Sequence, residues 1–252
     1  MINPLALENR TILVTGASSG IGRATAVLLS QLGATIVAAG RNAGRLEETT
    51  HSLEGGGHHA MVFDLADLDA IPGWMAKVVE QAGPLDGLVH SAGIGSIAPL
   101  RVLAMPEVEQ VMRVNYLSAV ALTKEFSRKR THRKDASIVL ISSVAGVVGA
   151  AGRTAYSASK GALTAFARSA ALELASAGLR VNCIAPAYVR TEMYDAARGS
   201  LTDEQLNALV AAQPLGLGEP LDVAHAVAFL LAATGRWITG AVLAVDGGYT
   251  AQ

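Results

Sequence analysis

The turn Thr15-Gly16-Ala17-Ser18-Ser19-Gly20-Ile21-Gly22 constrains this chain more than any other segment. It follows a short apolar run, Thr11 to Val14, and precedes a helical pattern, Ile21 to Leu32. Glycines between a strand and a helix let the backbone approach an anion, and the helix N-terminus faces that anion with free N–H groups. The remaining sequence repeats the strand–helix alternation. Strands are expected at Thr11–Thr15, Thr35–Ala39, Ala60–Asp64, Leu85–His90, Ser137–Ser142, Arg180–Ala185 and Ala241–Val245. Helices are expected at Ile21–Leu32, Ala43–Leu53, Leu68–Gln81, Pro106–Arg128, Tyr156–Ser176 and Val223–Ala233. Such alternation implies an α/β fold: a doubly wound parallel sheet of about seven strands with helices on both faces.

No repeat, linker or low-complexity segment divides the chain, so residues 1–252 read as one unit. The irregular stretch Tyr188 to Glu219, with polar and glycine breaks around Thr202–Asn207, stands where open α/β sheets bind ligands. An apolar fraction of 51% with a net charge of −1 argues against disorder and against nucleic acid as the main partner. The lone Cys183 allows no internal disulfide and reads as a small core residue. Met1 to Arg10 lacks a basic stretch followed by an apolar core, so no signal peptide is expected. The longest apolar runs, such as Ala226 to Ala233, are too short for a bilayer. A soluble, cytoplasmic protein is expected.

The chemistry concentrates at Tyr156-Ser157-Ala158-Ser159-Lys160, with Ser143 upstream and Asn115 further back. A Tyr and a Lys four apart share one helix face, which places an ammonium beside a phenol. A free phenol has a pKa of about 10, so poising it near neutrality takes about 4 kcal/mol. One cation at about 4 Å supplies that at an effective dielectric of about 20. Together with the glycine turn, these residues resemble the short-chain dehydrogenase/reductase family over roughly Leu7 to Tyr249. The general look is that of the 3-oxoacyl reductase branch. The resemblance implies a Rossmann fold and a nicotinamide cofactor.

By that resemblance Tyr156 is the general acid in ketone reduction and the base in alcohol oxidation. Ser143 orients the carbonyl oxygen. Lys160 lowers the tyrosine pKa and holds the nicotinamide ribose. Asn115 binds a water that links Lys160 to solvent. The cofactor contacts implied are Gly16, Ser18, Ser19, Gly20, Ile21 and Gly22 at the turn, with Asp64 and Leu65 near the adenine. Ser91, Ala92 and Gly93 lie under the ribose, and Pro186, Val189 and Thr191 close over the nicotinamide, where Tyr156 and Lys160 also touch the cofactor. Pro186-Ala187 replaces the family's usual Pro-Gly, and alanine tolerates positive φ poorly. After the second strand, Gly40-Arg41-Asn42 lacks the acid that an NAD-preferring fold uses and offers a cation instead. Arg41 therefore points to NADP(H) in preference to NAD(H). Asp64 has a competing reading as a helix cap.

Other features read as bland. His58-His59 has no further ligands at metal-binding spacing, so no metal is expected. His90 reads as structural. The basic run Arg128 to Lys134 reads as a solvated helix end, with a dock for an acidic partner such as acyl carrier protein as the competing reading. The expected activity is NADP(H)-dependent interconversion of a ketone and a secondary alcohol, with a 3-oxoacyl thioester as one candidate substrate. The competing substrates are a sugar, a steroid or a small cyclic ketone. A non-catalytic dinucleotide-sensing protein ranks below both. Family resemblance also implies a homotetramer or homodimer.

Overall fold

The computed structural model describes residues 3–199 and 202–251. Seven parallel strands form one sheet in the order β3-β2-β1-β4-β5-β6-β7. They are β1 (Thr11–Thr15), β2 (Thr35–Gly40), β3 (His59–Val62), β4 (Leu85–His90), β5 (His132–Ile141), β6 (Arg180–Pro186) and β7 (Val242–Val245). The strand order reverses between β1 and β4, where Thr15 pairs with His90. Their carboxyl ends open a crevice at that switch point, the place where such sheets bind ligands.

Strand alternation sorts the core into two layers. Leu13, Val37, Leu88, Ile138 and Cys183 pack beneath α3 (Ile71–Ala82), α5 (Ser118–Phe126) and α6 (Thr154–Leu174). Ile12, Ile36, Val89, Val139 and Ile184 pack beneath α1 (Gly20–Gln31), α2 (Ala43–His51) and α9 (Pro220–Leu231). Each fully buried aliphatic side chain contributes about 1.5–3 kcal/mol, so both faces hold the sheet rigid beneath the crevice. Cys183 is buried, and burial pushes its thiol up to about 12, an inert core group.

Three elements differ from expectation. The single helix expected over Pro106–Arg128 is α4 (Met105–Met112), a π-helical turn (Arg113–Leu117) and α5. The irregular stretch after Tyr188 holds two helices, α7 (Glu192–Arg198) and α8 (Asp203–Ala211). Residues 200 and 201 of that stretch, and residues 1, 2 and 252 of the expected unit, lie outside the described residues. β5 begins at His132, five residues early. The basic run is thus divided between two settings. Arg128 pairs with Glu125 at 2.8 Å behind α5, while Arg133 pairs with Asp86 at 3.5 Å from the start of β5. Among the described residues, no helix is long and apolar enough to cross a membrane.

Candidate active site

A cavity of about 290 Å³ runs along the carboxyl ends of the strands. Its dinucleotide end is shaped by close backbone approaches. Gly16 has φ +67, and a Cβ there would stand 2.8 Å from the Ala92 nitrogen. A Cβ on Gly22 would stand 2.2 Å from the Gly16 carbonyl oxygen. Only glycine fits either position. Ser19 precedes α1 with extended backbone and no side-chain cap, so the first-turn N–H groups are left for another acceptor. The turn therefore fits a dinucleotide pyrophosphate.

Arg41 is exposed on the cavity wall just after β2, with no ion pair among the described residues. Asp64 accepts from the Ala66 N–H at 3.0 Å. It closes a turn and does not cap α3, whose N-cap is Ala70. Leu65, Ser91, Ala92, Gly93, Pro186, Val189 and Thr191 line the same cavity. Ala187 is outside the left-handed region, so the replacement of the family glycine carries no strain. Thr191 caps α7, accepting from the Tyr194 N–H at 3.3 Å and donating to the Val189 carbonyl at 3.2 Å. A Cβ on Gly20 would come within 3.0 Å of the Thr191 methyl, so the start of this segment rests on the glycine turn.

At the other end, Ser143, Tyr156 and Lys160 line the cavity together. β5 delivers Ser143 at its exit, and α6 delivers the tyrosine and lysine one turn apart. The Ser143 hydroxyl donates to the Pro186 carbonyl at 3.4 Å, and its polar oxygen works against the rise of the Tyr156 pKa. The adjacent Ser142 points away and donates to the Lys160 carbonyl at 2.8 Å, which ties α6 to the strand end. The Lys160 ammonium donates to the Ile141 carbonyl at 2.8 Å and stands 5.7 Å from the Tyr156 ring centroid. Burial lowers its pKa to about 8.

The phenol departs from the sequence expectation. Burial raises Tyr156 above an ordinary phenol, opposed by the nearby Ser143 hydroxyl and by the charge of Arg153. With its ammonium turned to the Ile141 carbonyl, Lys160 does not draw the phenol toward neutrality. Tyr156 is therefore protonated at neutral pH, the form that can donate to an oxygen.

Asn115 is the one expected site residue that does not line the cavity. It is fully buried in the π-helical turn behind it. Its Oδ1 accepts from the Ile94 N–H at 2.8 Å, and its Nδ2 donates to the Ile94 carbonyl and to Ser159 Oγ, both at 3.0 Å. Both N–H donors are spent, so this side chain clamps the loop after β4. His90 sits between Thr15, at 3.2 Å, and Ser118, at 3.4 Å. Thr15 Oγ1 accepts in turn from the Ala92 N–H at 3.3 Å. Burial, then the charge of Lys160, lowers His90 to about 3, so it is a neutral strut beneath the ribose segment. His58 likewise braces a turn, accepting from the Ile36 N–H at 3.0 Å.

One contribution was missed in the sequence. Arg153, the residue before α6, has its guanidinium 5.9 Å from the Tyr156 ring centroid and 5.8 Å from that of Tyr188. The helices α7 and α8 add Met193, Tyr194 and Leu209 to the cavity wall. A capping box, Thr202 with Gln205, announces α8 and was readable in the sequence. Arg153 had no comparable signal.

Residues 16–250 match the family described as Enoyl-(Acyl carrier protein) reductase. A cis-4-hydroxycyclohexanecarboxylate dehydrogenase from Sinomonas cyclohexanicum is 37% identical over 98% of this chain and 98% of its own length. A 3-oxoacyl-(acyl-carrier-protein) reductase from Vibrio cholerae is 35% identical over 96% of this chain and 98% of its own. Among solved structures, a candidate NAD(P)-dependent gluconate 5-dehydrogenase from Beutenbergia cavernae, with NADP bound at low occupancy, superposes with a TM-score of 0.91. It is 35% identical and covers 99% of this chain and 100% of its own.

Proposed function

The chain belongs to the short-chain dehydrogenase/reductase family, in its 3-oxoacyl reductase-like branch, and on that premise we propose that it is an NADP(H)-dependent oxidoreductase interconverting a ketone and a secondary alcohol. The observation that carries the proposal is the meeting of Ser143, Tyr156 and Lys160 in the same cavity as the glycine cradle. Bound nicotinamide supplies or accepts the hydride at the substrate carbon. In reduction the Tyr156 phenol gives its proton to the carbonyl oxygen, and Ser143 donates a hydrogen bond to that oxygen. The resulting phenolate regains a proton before the next turnover; Lys160, on the same helix face and with its pKa lowered by burial to about 8, would donate it once its ammonium leaves the Ile141 carbonyl. Asn115 keeps the loop at Ile94 in place beside this route.

Arg41 supports NADP(H) over NAD(H): it is an exposed, unpaired cation where a ribose acid would otherwise stand. NADP in the Beutenbergia structure agrees. Residues 1–252 would act as one unit, with 188–219 as a lid over the substrate. Assembly into a homotetramer or homodimer belongs to the same reading, and a sedimentation mass of one chain would refute it. A 3-oxoacyl thioester is the substrate favoured by the branch, and the exposed Lys129, Arg130 and Lys134 offer an acidic carrier protein a contact. A small cyclic ketone is the competing substrate, supported by the Sinomonas relative. NADPH consumption with a 3-oxoacyl thioester, simple cyclic ketones and NADH as the alternative cofactor separates these readings. Oxidation of neither cofactor with any ketone would remove the proposal.

A further inference from the structure

Arg153 is a cation in the cavity with no partner of opposite charge. Among the described residues no carboxylate pairs with it. The two acids of the cavity wall are committed to its dinucleotide end: Asp64 closes its own turn, and Glu192 lies against Gly20. The guanidinium is partly withdrawn from water and held between the Tyr156 and Tyr188 rings. It also stands at the start of the 21-residue helix α6, whose first turn contains no acid. A cation at the positive end of a helix dipole is the unfavourable pairing. Two positive features thus converge beside the tyrosine, and an anion placed there would answer both.

Resting on the ketone–alcohol chemistry proposed above, but in place of the thioester, we infer that the substrate is an oxo or hydroxy carboxylic acid whose carboxylate pairs with Arg153 while its carbonyl or carbinol oxygen meets Tyr156 and Ser143. Val148, Ala150, Met193 and Leu209 give the same cavity apolar surface beside Tyr188, Tyr194 and Tyr249. Those apolar side chains suit an aliphatic or alicyclic substrate body. Arg153 has a second effect on the reaction: its charge opposes the rise of the Tyr156 pKa. A docked carboxylate offsets that charge and keeps the phenol protonated for donation.

The test pairs kinetics with binding. Reduction of 4-oxocyclohexanecarboxylate is compared with that of its methyl ester, using wild type, Arg153→Gln and Arg153→Lys. The expected ratio of kcat/KM, acid to ester, is about 10–100 in wild type, near one in Arg153→Gln and partly restored in Arg153→Lys. A wild-type ratio near one, or a ratio that survives in Arg153→Gln, overturns the inference and leaves the ketone reductase reading standing. Cyclohexanecarboxylate, which has no reducible group, is then titrated calorimetrically into each protein with and without NADPH. Binding to wild type that weakens at least tenfold in Arg153→Gln supports the inference even if no ketone turns over, in which case only the reductase reading falls. Absent or unchanged binding counts against it. Retained NADPH affinity in each variant shows that the fold is intact.

Discussion

Gly146→Ala would separate the halves of the candidate active site without touching any reacting group. Gly146 ends the short 3-10 turn that follows Ser143. A Cβ there would stand 2.6 Å from the Lys160 carbonyl carbon, 2.7 Å from the Gly161 nitrogen and 2.9 Å from the Lys160 oxygen. Ordinary contact starts at 3.4 Å, so turn and helix must part by 3.4 − 2.6, about 0.8 Å. All three contacts are backbone atoms, so no side-chain rotation relieves them. The Ser142 hydroxyl holds that same Lys160 oxygen at 2.8 Å, and the shift stretches this bond too. Overpacking of this kind costs about 1–3 kcal/mol of stability. A displacement near 1 Å between Ser143 and the Tyr156–Lys160 pair costs about 10²-fold in kcat. Urea unfolding and NADPH-dependent ketone reduction read the two effects separately. Gly149→Ala is the control, since a Cβ at Gly149 meets nothing within 4 Å. Wild-type kcat in Gly146→Ala would refute the claim that this contact sets the site's geometry.

Three further outcomes are expected. Arg41→Ala weakens NADPH much more than NADH in equilibrium titrations, and equal weakening of both would mean that Arg41 does not read the 2′-phosphate. The unfolded chain protonates His90 below about pH 6.5, but the folded chain does so only near 3. Protons therefore favour the unfolded state in that window, and stability falls with decreasing pH, by about 2 kcal/mol at pH 5. His90→Gln should remove that part of the slope in urea melts at pH 5 and 7, and an unchanged slope would contradict the assignment. Asn115→Ala abolishes three hydrogen bonds around Ile94 and Ser159 and should cost about 1–3 kcal/mol, with loss of turnover, and a wild-type melt would show that the clamp is idle.

The features legible in the sequence were those fixed by local chemistry. Glycines that no other residue can replace marked the turn at Gly16 and Gly22. The four-residue spacing of Tyr156 and Lys160 placed both on one helix face. What escaped was set by tertiary contacts. The π-helical turn at Arg113–Leu117 leaves the local pattern helical, and it shows only once Asn115 is seen clamping Ile94. Charged residues hid the start of β5, whose Leu85–His132 pairing is offset from the rest of its ladder by a register shift. The upward shift of Tyr156 depends on where the Lys160 ammonium points, and sequence spacing cannot specify that direction. Arg153 stood out only when its guanidinium was found beside two rings, with no carboxylate paired to it among the described residues.

The central claim is that Tyr156 moves a proton to a carbonyl oxygen in a cavity built for NADP(H). Its most direct test is steady-state NADPH oxidation by wild type and Tyr156→Phe on one ketone that the wild type reduces, with NADPH affinity measured for both. The expected result is equal NADPH affinity with kcat lower by about 10²–10⁴-fold in the variant. A variant that turns over at the wild-type rate would contradict the account.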